Sequence, residues 1–311
     1  MRFGVLGINY KSADLDLREA LTRGLESLYR ANSLASYRYK TVLLSTCNRS
    51  ELYFYSSDLS EQHSKFLQEL RREIHREFEH ALYSFFGEEC LSHLSKVTAG
   101  FDSAFLGEGE IQRQVKHAYL GAKNQMELPQ DLHYLFQKSL HNGKVLRTDL
   151  RLEEGVPSLP SVIAQKTAEL CPQKVLIVGH SEIGNKCIKA LKRRGVENLF
   201  IATRYPEQVY LPVVPVERWN EFDVVIATSK TSQPIISGQS GVTQLIFDVS
   251  MPRCTCSNLT VPVVNIDALG RLVETVRLSK VQLVLDGEKK ISQIVARQFM
   301  LANQRRARQV C

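Results

Sequence analysis

The sequence predicts an α+β domain, then an α/β domain with a parallel sheet, then a C-terminal helical segment. Three observations predict it. Short β-branched or aromatic runs are interspersed with helical patterns through the first half. The run Lys174-Val175-Leu176-Ile177-Val178 enters a glycine turn and then an apolar-periodic stretch. Near the end, Ile291, Ile294, Val295 and Phe299 recur at helical spacing. The 311 residues suffice for two domains with an appendage. The expected limits are 1–155, 156–268 and 269–311. Gly155, Pro157 and Pro160 mark the linker at the first of them.

In order, residues 3–8 read as a strand that enters a loop at Asn9-Tyr10-Lys11-Ser12. Ser12 or Asp14 caps a helix over about 15–30, where Leu17, Leu21, Leu25 and Leu28 share a face. Thr41–Leu44 and Glu51–Tyr55 have strand character. A charged helix over about 60–79 carries Phe66, Leu67, Leu70, Ile74 and Phe78 on one side. Leu91, Leu94 and Val97 form the next helix face, and Gly100 and Gly107–Gly109 mark turns. A helical hairpin over about 110–126 and 130–147 completes the first domain. The second opens with a helix over 161–171. Strands follow at 174–178, 198–202, 223–228 and 244–249, each after a helix or loop, as in a doubly wound sheet. Helix resumes from about 268 through Leu272 and Val276, with Asp286-Gly287 as the expected break and Arg305-Arg306-Ala307-Arg308 as a basic end.

Hydrophobic content of 43% and charged content of 23% are ordinary for a globular protein, and the formal net charge of +7 is a mild bias that fits a polyanionic partner without requiring one. The seven cysteines include no CxxC pair, and no secretory leader is legible, which points to reduced thiols in the cytoplasm. No window reaches the length of apolar sequence a membrane helix needs. Metal signatures are missing: His75-Arg-Glu-Phe-Glu-His80 is not HExxH, and Cys254-Thr-Cys256 is too tight for a zinc knuckle.

Two stretches carry chemistry. Ser45-Thr46-Cys47-Asn48-Arg49 lies between two strand-like runs, so Cys47 falls where the chain bends, and the Arg49 charge favours thiolate over thiol. The alternative is a buried structural cysteine. Gly179-His180-Ser181-Glu182-Ile183-Gly184 sits between a strand and a helix, the context of a Rossmann-type dinucleotide fingerprint, with Ser181 in place of the middle glycine. The next strand ends in Thr203-Arg204. An acidic residue there would hold a ribose diol, whereas Arg204 suits a 2′-phosphate, so NADPH is favoured over NADH. A thiol and an NADPH site together suggest reduction of an activated acyl group through a thioester.

Several motifs, in order, resemble those of the glutamyl-tRNA reductase family. They are Ser-Thr-Cys-Asn-Arg-Ser-Glu at 45–51, Ala-Gly-Phe-Asp-Ser at 99–103, Gly-Glu-x-x-Ile-x-x-Gln-Val-Lys at 107–116, Val-Leu-Arg-Thr at 145–148, the fingerprint at 179–184, and Asp248-Val-Ser-Met-Pro-Arg253. The likeness spans roughly residues 1–280. It implies NADPH-dependent reduction of glutamyl-tRNA(Glu) to glutamate-1-semialdehyde, the first step of porphyrin synthesis by the C5 route. Cys47 would be the nucleophile and His93 the assisting histidine. Thr46, Asn48, Arg49, Ser103, Glu108, Gly109, Glu110 and Gln114 would surround the glutamyl group, with Arg49 toward a substrate carboxylate. Gly109-Glu110 stand where the family has Pro-Gln. The implied partners are the charged tRNA, the aminomutase that follows, and a second subunit, although the family's helical dimerisation region is only partly represented. Two other readings stay open: a shikimate-dehydrogenase-like oxidoreductase, and an NADPH- or tRNA-binding regulator without catalysis.

Overall fold

The computed structural model describes residues 1–30, 33–151, 157–231, 233–274, 278 and 280–310, without the side chains of 303 and 305–310. Val276, the linker residues through Gly155 and the basic side chains at 305–308 lie outside the described residues. In order, the elements are β1 (Phe3–Asn9), α1 (Leu15–Tyr29), α2 (Leu34–Tyr39), β2 (Val42–Ser45), β3 (Arg49–Tyr55), α3 (Leu59–Glu73), β4 (Tyr83–Phe86), α4 (Gly87–Ala99), α5 (Glu110–Gln125) and α6 (Gln130–Asp149). They continue with α7 (Leu159–Glu169), β5 (Val175–Val178), α8 (Glu182–Lys192), β6 (Leu199–Ala202), β7 (Val224–Ala227), β8 (Leu245–Asp248), β9 (Val263–Asn265), α9 (Ile266–Leu272) and α10 (Val281–Val310). The chain divides into two compact units, Met1–Val156 with Thr275–Cys311, and Pro157–Glu274.

In the first unit an antiparallel sheet runs in the order β2-β3-β1-β4. Side chains alternate across it. Leu6, Ile8, Leu52 and Phe54 pack with Leu17, Leu21 and Leu25 of α1 and Phe66 and Leu70 of α3. Phe3, Val5, Val42, Leu44 and Tyr53 face the opposite way, onto Leu91 and Leu94 of α4 and Leu132 and Phe136 of α6. That parity places Arg49, Glu51 and Tyr53 of β3 on the α4 side. Asp14 caps α1 by accepting from Leu17 N.

Three local expectations change. Helix α3 stops at Glu73 instead of 79, and Phe78 reaches the same apolar cluster as Leu70 and Ile74 from a separate turn. Strand β4, too short to stand out in sequence, forms because β1 supplies its ladder from Gly4 to Gly7. Asp286-Gly287 does not break α10. A Cβ on Gly287 would lie 2.1 Å from Phe101 Cζ, so glycine lets the helix approach the 100–107 loop closely. α10 is fixed to α6 by a reciprocal amide pair, Gln298 Nε2 to Asn142 Oδ1 at 2.8 Å and Asn142 Nδ2 to Gln298 Oε1 at 3.2 Å.

The second unit is a Rossmann-type parallel sheet in the order β6-β5-β7-β8-β9. Its strands are near-continuous apolar runs, as burial on both faces requires. Leu176 and Val178 meet Trp219, Phe222 and Val225 on one side. Among the described residues, only the β5–β6 crossover is an α-helix; β6 to β7 passes through a 3-10 turn at Val216–Glu221. The strand order reverses direction at β5, which makes the carboxyl ends of β5 and β7 the topological switch point.

Candidate active site

The thiol sits in the three-residue connection of the β2–β3 hairpin. Thr46 organises that turn: its Oγ1 accepts from Asn48 N and Arg49 N, both at 3.2 Å, and its amide donates to Arg49 O at 2.8 Å. The Thr46 hydroxyl is thereby committed to backbone. Cys47 is half-buried and forms no disulfide. Two buried atoms next to it in sequence, Asn48 Oδ1 and Arg49 Nε, have no protein hydrogen-bond partner.

Arg49 is fully buried. Its guanidinium donates to Glu51 Oε1 at 2.8 Å and to Asp102 Oδ2 at 3.0 Å, and its Nη2 also reaches the Asp102 carbonyl. Arg49 is thus paired with two protein carboxylates. Glu51 is the hub. Besides Arg49 it accepts from Tyr53 OH at 2.5 Å, from Tyr83 OH at 2.6 Å and from His93 Nε2 at 2.8 Å. Burial alone would raise the Glu51 pKa, but Arg49 and then His93 outweigh it and hold the carboxyl far below the ordinary range. Burial and then Glu51 push the Tyr53 and Tyr83 hydroxyls and the Cys90 thiol upward. Cys90 is thus a packed, unreactive thiol.

Because Glu51 is ionised, it can only accept. His93 therefore donates to it from Nε2. Its ring stacks on Phe85 with centroids 4.8 Å apart. His93 lines a pocket of about 530 Å³ together with Asn9, Lys11, Tyr83, Phe85, Lys96 and Asp102, and with Val284 and Glu288 of α10. Of the sequence-derived candidates among the described residues, it alone lines this pocket.

Asp102 is delivered by a closed loop. Gly107 N donates to Gly100 O at 3.0 Å, both glycines have positive φ (71° and 81°), and a Gly100 Cβ would meet Gly107 Cα at 3.0 Å. Arg147 of α6 ties this loop down by donating to Glu108 O at 3.0 Å. Asp102 also accepts from Lys11 Nζ and, at 3.3 Å, from Asn9 Nδ2. Arg49 and Lys11 outweigh its burial and lower its pKa. Ser103 is buried in the same loop. Glu110 is nearly buried at the start of α5 and pairs with Arg113, while Gln114 lies half-buried one turn along. Gly109 precedes α5 at its N-cap.

Sequence reading missed Glu51, Asp102, Lys11 and Tyr83 as site residues. The available signal was period two in β3, which sets Arg49, Glu51 and Tyr53 on one face and so puts two opposite charges beside an aromatic ring toward the core.

The fingerprint of the second unit forms a tight strand-to-helix turn. Gly179 has φ +101°, and a Cβ there would lie 2.3 Å from Ser229 Oγ. Gly184 abuts Thr228 Oγ1 and Gly179 O, which a Cβ would meet at 2.8 and 3.0 Å. Ser181 caps α8 by accepting from Gly184 N at 3.0 Å, with Glu182 and Ile183 in the first turn and His180 partly exposed before it. These features and the switch-point position fit a dinucleotide, whose pyrophosphate would meet the amides at the start of α8. Arg204 is exposed after β6 and stacks over Tyr205, while Thr203 Oγ1 accepts from Tyr205 N at 3.1 Å. Among the described residues no group of His, Cys, Asp or Glu could hold a metal ion, and no helix is long and apolar enough to cross a membrane.

A family model for the N-terminal domain of glutamyl-tRNAGlu reductase matches residues 6–150. The glutamyl-tRNA reductase of Chlamydia abortus is 36% identical over 273 residues, covering 81% of this chain and 78% of that protein. The glutamyl-tRNA reductase of Akkermansia muciniphila is 30% identical over 335 residues, covering 96% and 98%. Among solved structures, glutamyl-tRNA reductase from Methanopyrus kandleri matches with a TM-score of 0.51 at 26% identity, covering 98% of this chain and 82% of that one.

Proposed function

Because this chain belongs to the glutamyl-tRNA reductase family, we propose that it reduces the glutamyl ester of tRNA(Glu) to glutamate-1-semialdehyde with NADPH, in the cytoplasm, as the first step of the C5 route to porphyrins. The Cys47 thiolate attacks the ester carbonyl, a thioester forms, and the tRNA hydroxyl leaves with a proton. NADPH, when bound, supplies the hydride that takes the thioester to the aldehyde. The electron pair of the broken carbon–sulfur bond returns to Cys47.

The supporting observation is the Glu51–His93 contact. An acceptor-only carboxylate holds the histidine by Nε2, so Nδ1 takes the Cys47 proton and later returns it to the departing tRNA oxygen. Asn48 Oδ1, buried without a protein partner, is an acceptor for the substrate ammonium. Arg49 positions the site by fixing Glu51 and Asp102. The family resemblance assigns Ser103, Glu108, Gly109, Glu110 and Gln114 further contacts with the glutamyl group. In the second unit, residues 179–184 hold the cofactor pyrophosphate, and Thr203 and Arg204 its 2′-phosphate. The product is a reactive α-amino aldehyde, which favours direct transfer to an aminomutase.

The test is NADPH oxidation with glutamyl-tRNA(Glu), against free glutamate, NADH and a Cys47→Ser variant. Turnover only with charged tRNA and NADPH, lost in the variant, is expected. Full activity of Cys47→Ser would refute the thioester. Arg204→Ala should raise KM for NADPH.

A further inference from the structure

The positive charge of the chain is concentrated on one pair of helices. Between Ile111 and Thr148 there are six Lys or Arg and two acidic residues, a formal +4 of the chain's +7. Over this span α5 and α6 form an antiparallel hairpin, with Gln112 Nε2 donating to Leu140 O and Tyr119 stacked on Phe136. Val115 and Tyr119 of α5 and Leu132, Leu135 and Phe136 of α6 are packed in the core. Lys116, Lys123 and Lys144 are exposed, and Lys138 is half-buried with its ammonium over the Tyr134 ring. Lys123 and Lys138 share a cavity of about 680 Å³ with His133.

Other surface lysines are paired within a helical turn, Lys65 with Glu61, Lys166 with Glu169 and Lys186 with Glu182. Among the described residues, Lys116, Lys123, Lys138 and Lys144 have no carboxylate partner. Asp131, one of the two acids of the span, is buried and accepts from Arg2 N at 2.7 Å. A row of unpaired like charges adds self-repulsion and nothing to the fold, and a polyanion relieves it. Lys189 and Lys192 differ, because they lie in the last turn of α8, where the helix dipole favours cations.

We propose that the α5–α6 hairpin is the docking face for the RNA body of the substrate, its lysines holding backbone phosphates beyond the acylated 3′ end. This rests on the glutamyl-tRNA reading of the site. α5 starts directly after the loop that delivers Asp102, and Arg147 of α6 is bonded to that loop at Glu108 O. Lys144 lies one turn before Arg147, and Lys123 stands near the far end of α5. The 16 residues of α5 span about 24 Å, so the lysines form a track leading away from the catalytic loop.

The experiment measures tRNA(Glu) retention on filters across a salt series. It compares wild type with a variant combining Lys116→Gln, Lys123→Gln, Lys138→Gln and Lys144→Gln, with the same four positions changed to Arg, and with Lys189→Gln/Lys192→Gln. Losing four phosphate contacts should flatten the slope of log affinity against log salt by about 3 and weaken binding at low salt by at least about tenfold. The arginine variant and the α8 variant should bind as wild type does. In turnover, the glutamine variant should raise KM for glutamyl-tRNA and leave kcat in place, as an intact site requires. An unmoved salt slope in the glutamine variant, or an equal loss in the arginine or α8 variant, would overturn the proposal. A wild type that binds tRNA through these lysines but never oxidises NADPH would remove the reductase reading and keep this one. Turnover with tRNA affinity untouched by the four glutamines would do the reverse.

Discussion

Glu51→Gln isolates the hub of the catalytic unit. The carboxylate accepts four hydrogen bonds with no exposed surface of its own. Glutamine has nearly the same volume, so the substitution removes charge and acceptor capacity without opening a cavity. Arg49, Tyr83 and His93 all meet Oε1, which the glutamine carbonyl can replace, and Tyr53 at Oε2 can turn its hydroxyl to accept from the amide, so the loss is the charge facing Arg49. Breaking a buried ion pair costs about 3–5 kcal/mol, and Asp102 still faces Arg49, so the lower end, about 3 kcal/mol, is expected. For a unit of this size that corresponds to roughly 6–12 °C in midpoint temperature. The two units give separable signals. The only tryptophan, Trp219, is buried in the second unit, whereas the hub lies in the first. Far-UV circular dichroism should show an earlier first transition in the variant, while the tryptophan fluorescence midpoint stays in place. Activity should fall as well, because His93 loses its anionic partner. An unmoved dichroism midpoint, or an equal shift in tryptophan fluorescence, would refute the reasoning.

Three further outcomes follow from the same geometry. Glu51 and Asp102 both sit below their ordinary values of 4.5 and 3.8, so their stabilisation is complete above those values and lost as pH falls through the folded ones. Acid titration of stability should therefore be steeper for wild type than for Asp102→Asn. Gly287→Ala places a methyl within 2.1 Å of Phe101 Cζ, and an overpacking cost of about 1–3 kcal/mol is expected. Combining it with Phe101→Ala should be less than additive in urea denaturation. Alkylation by iodoacetamide near neutral pH should label exposed Cys171 and half-buried Cys47 and Cys256 in the native protein. Cys90, Cys187 (pushed to about 12 by burial) and Cys254 should react only on unfolding, as peptide mass mapping would show.

The sequence by itself determined the elements whose signal is local. Apolar runs bounded by turns marked β5, β7 and β8, the glycine pattern at 179–184 marked a strand-to-helix turn, and the residues flanking Cys47 marked a hairpin. Period and turn chemistry act over a few residues, so they are written in consecutive positions. Tertiary structure decided the rest. Strand β4 exists because β1 offers it a ladder, and α10 runs through Gly287 because Phe101, far away in sequence, requires a close approach. The pairing of Arg49 was decided by Asp102, 53 residues on, which the Gly100–Gly107 loop folds against it. That juxtaposition buries Arg49 between two carboxylates, while Lys11 and Lys96 keep partly exposed ammonium groups at the pocket. Local sequence states which charges exist; only the fold states which of them neutralise one another, because pairing depends on distances set by chain segments remote from both partners.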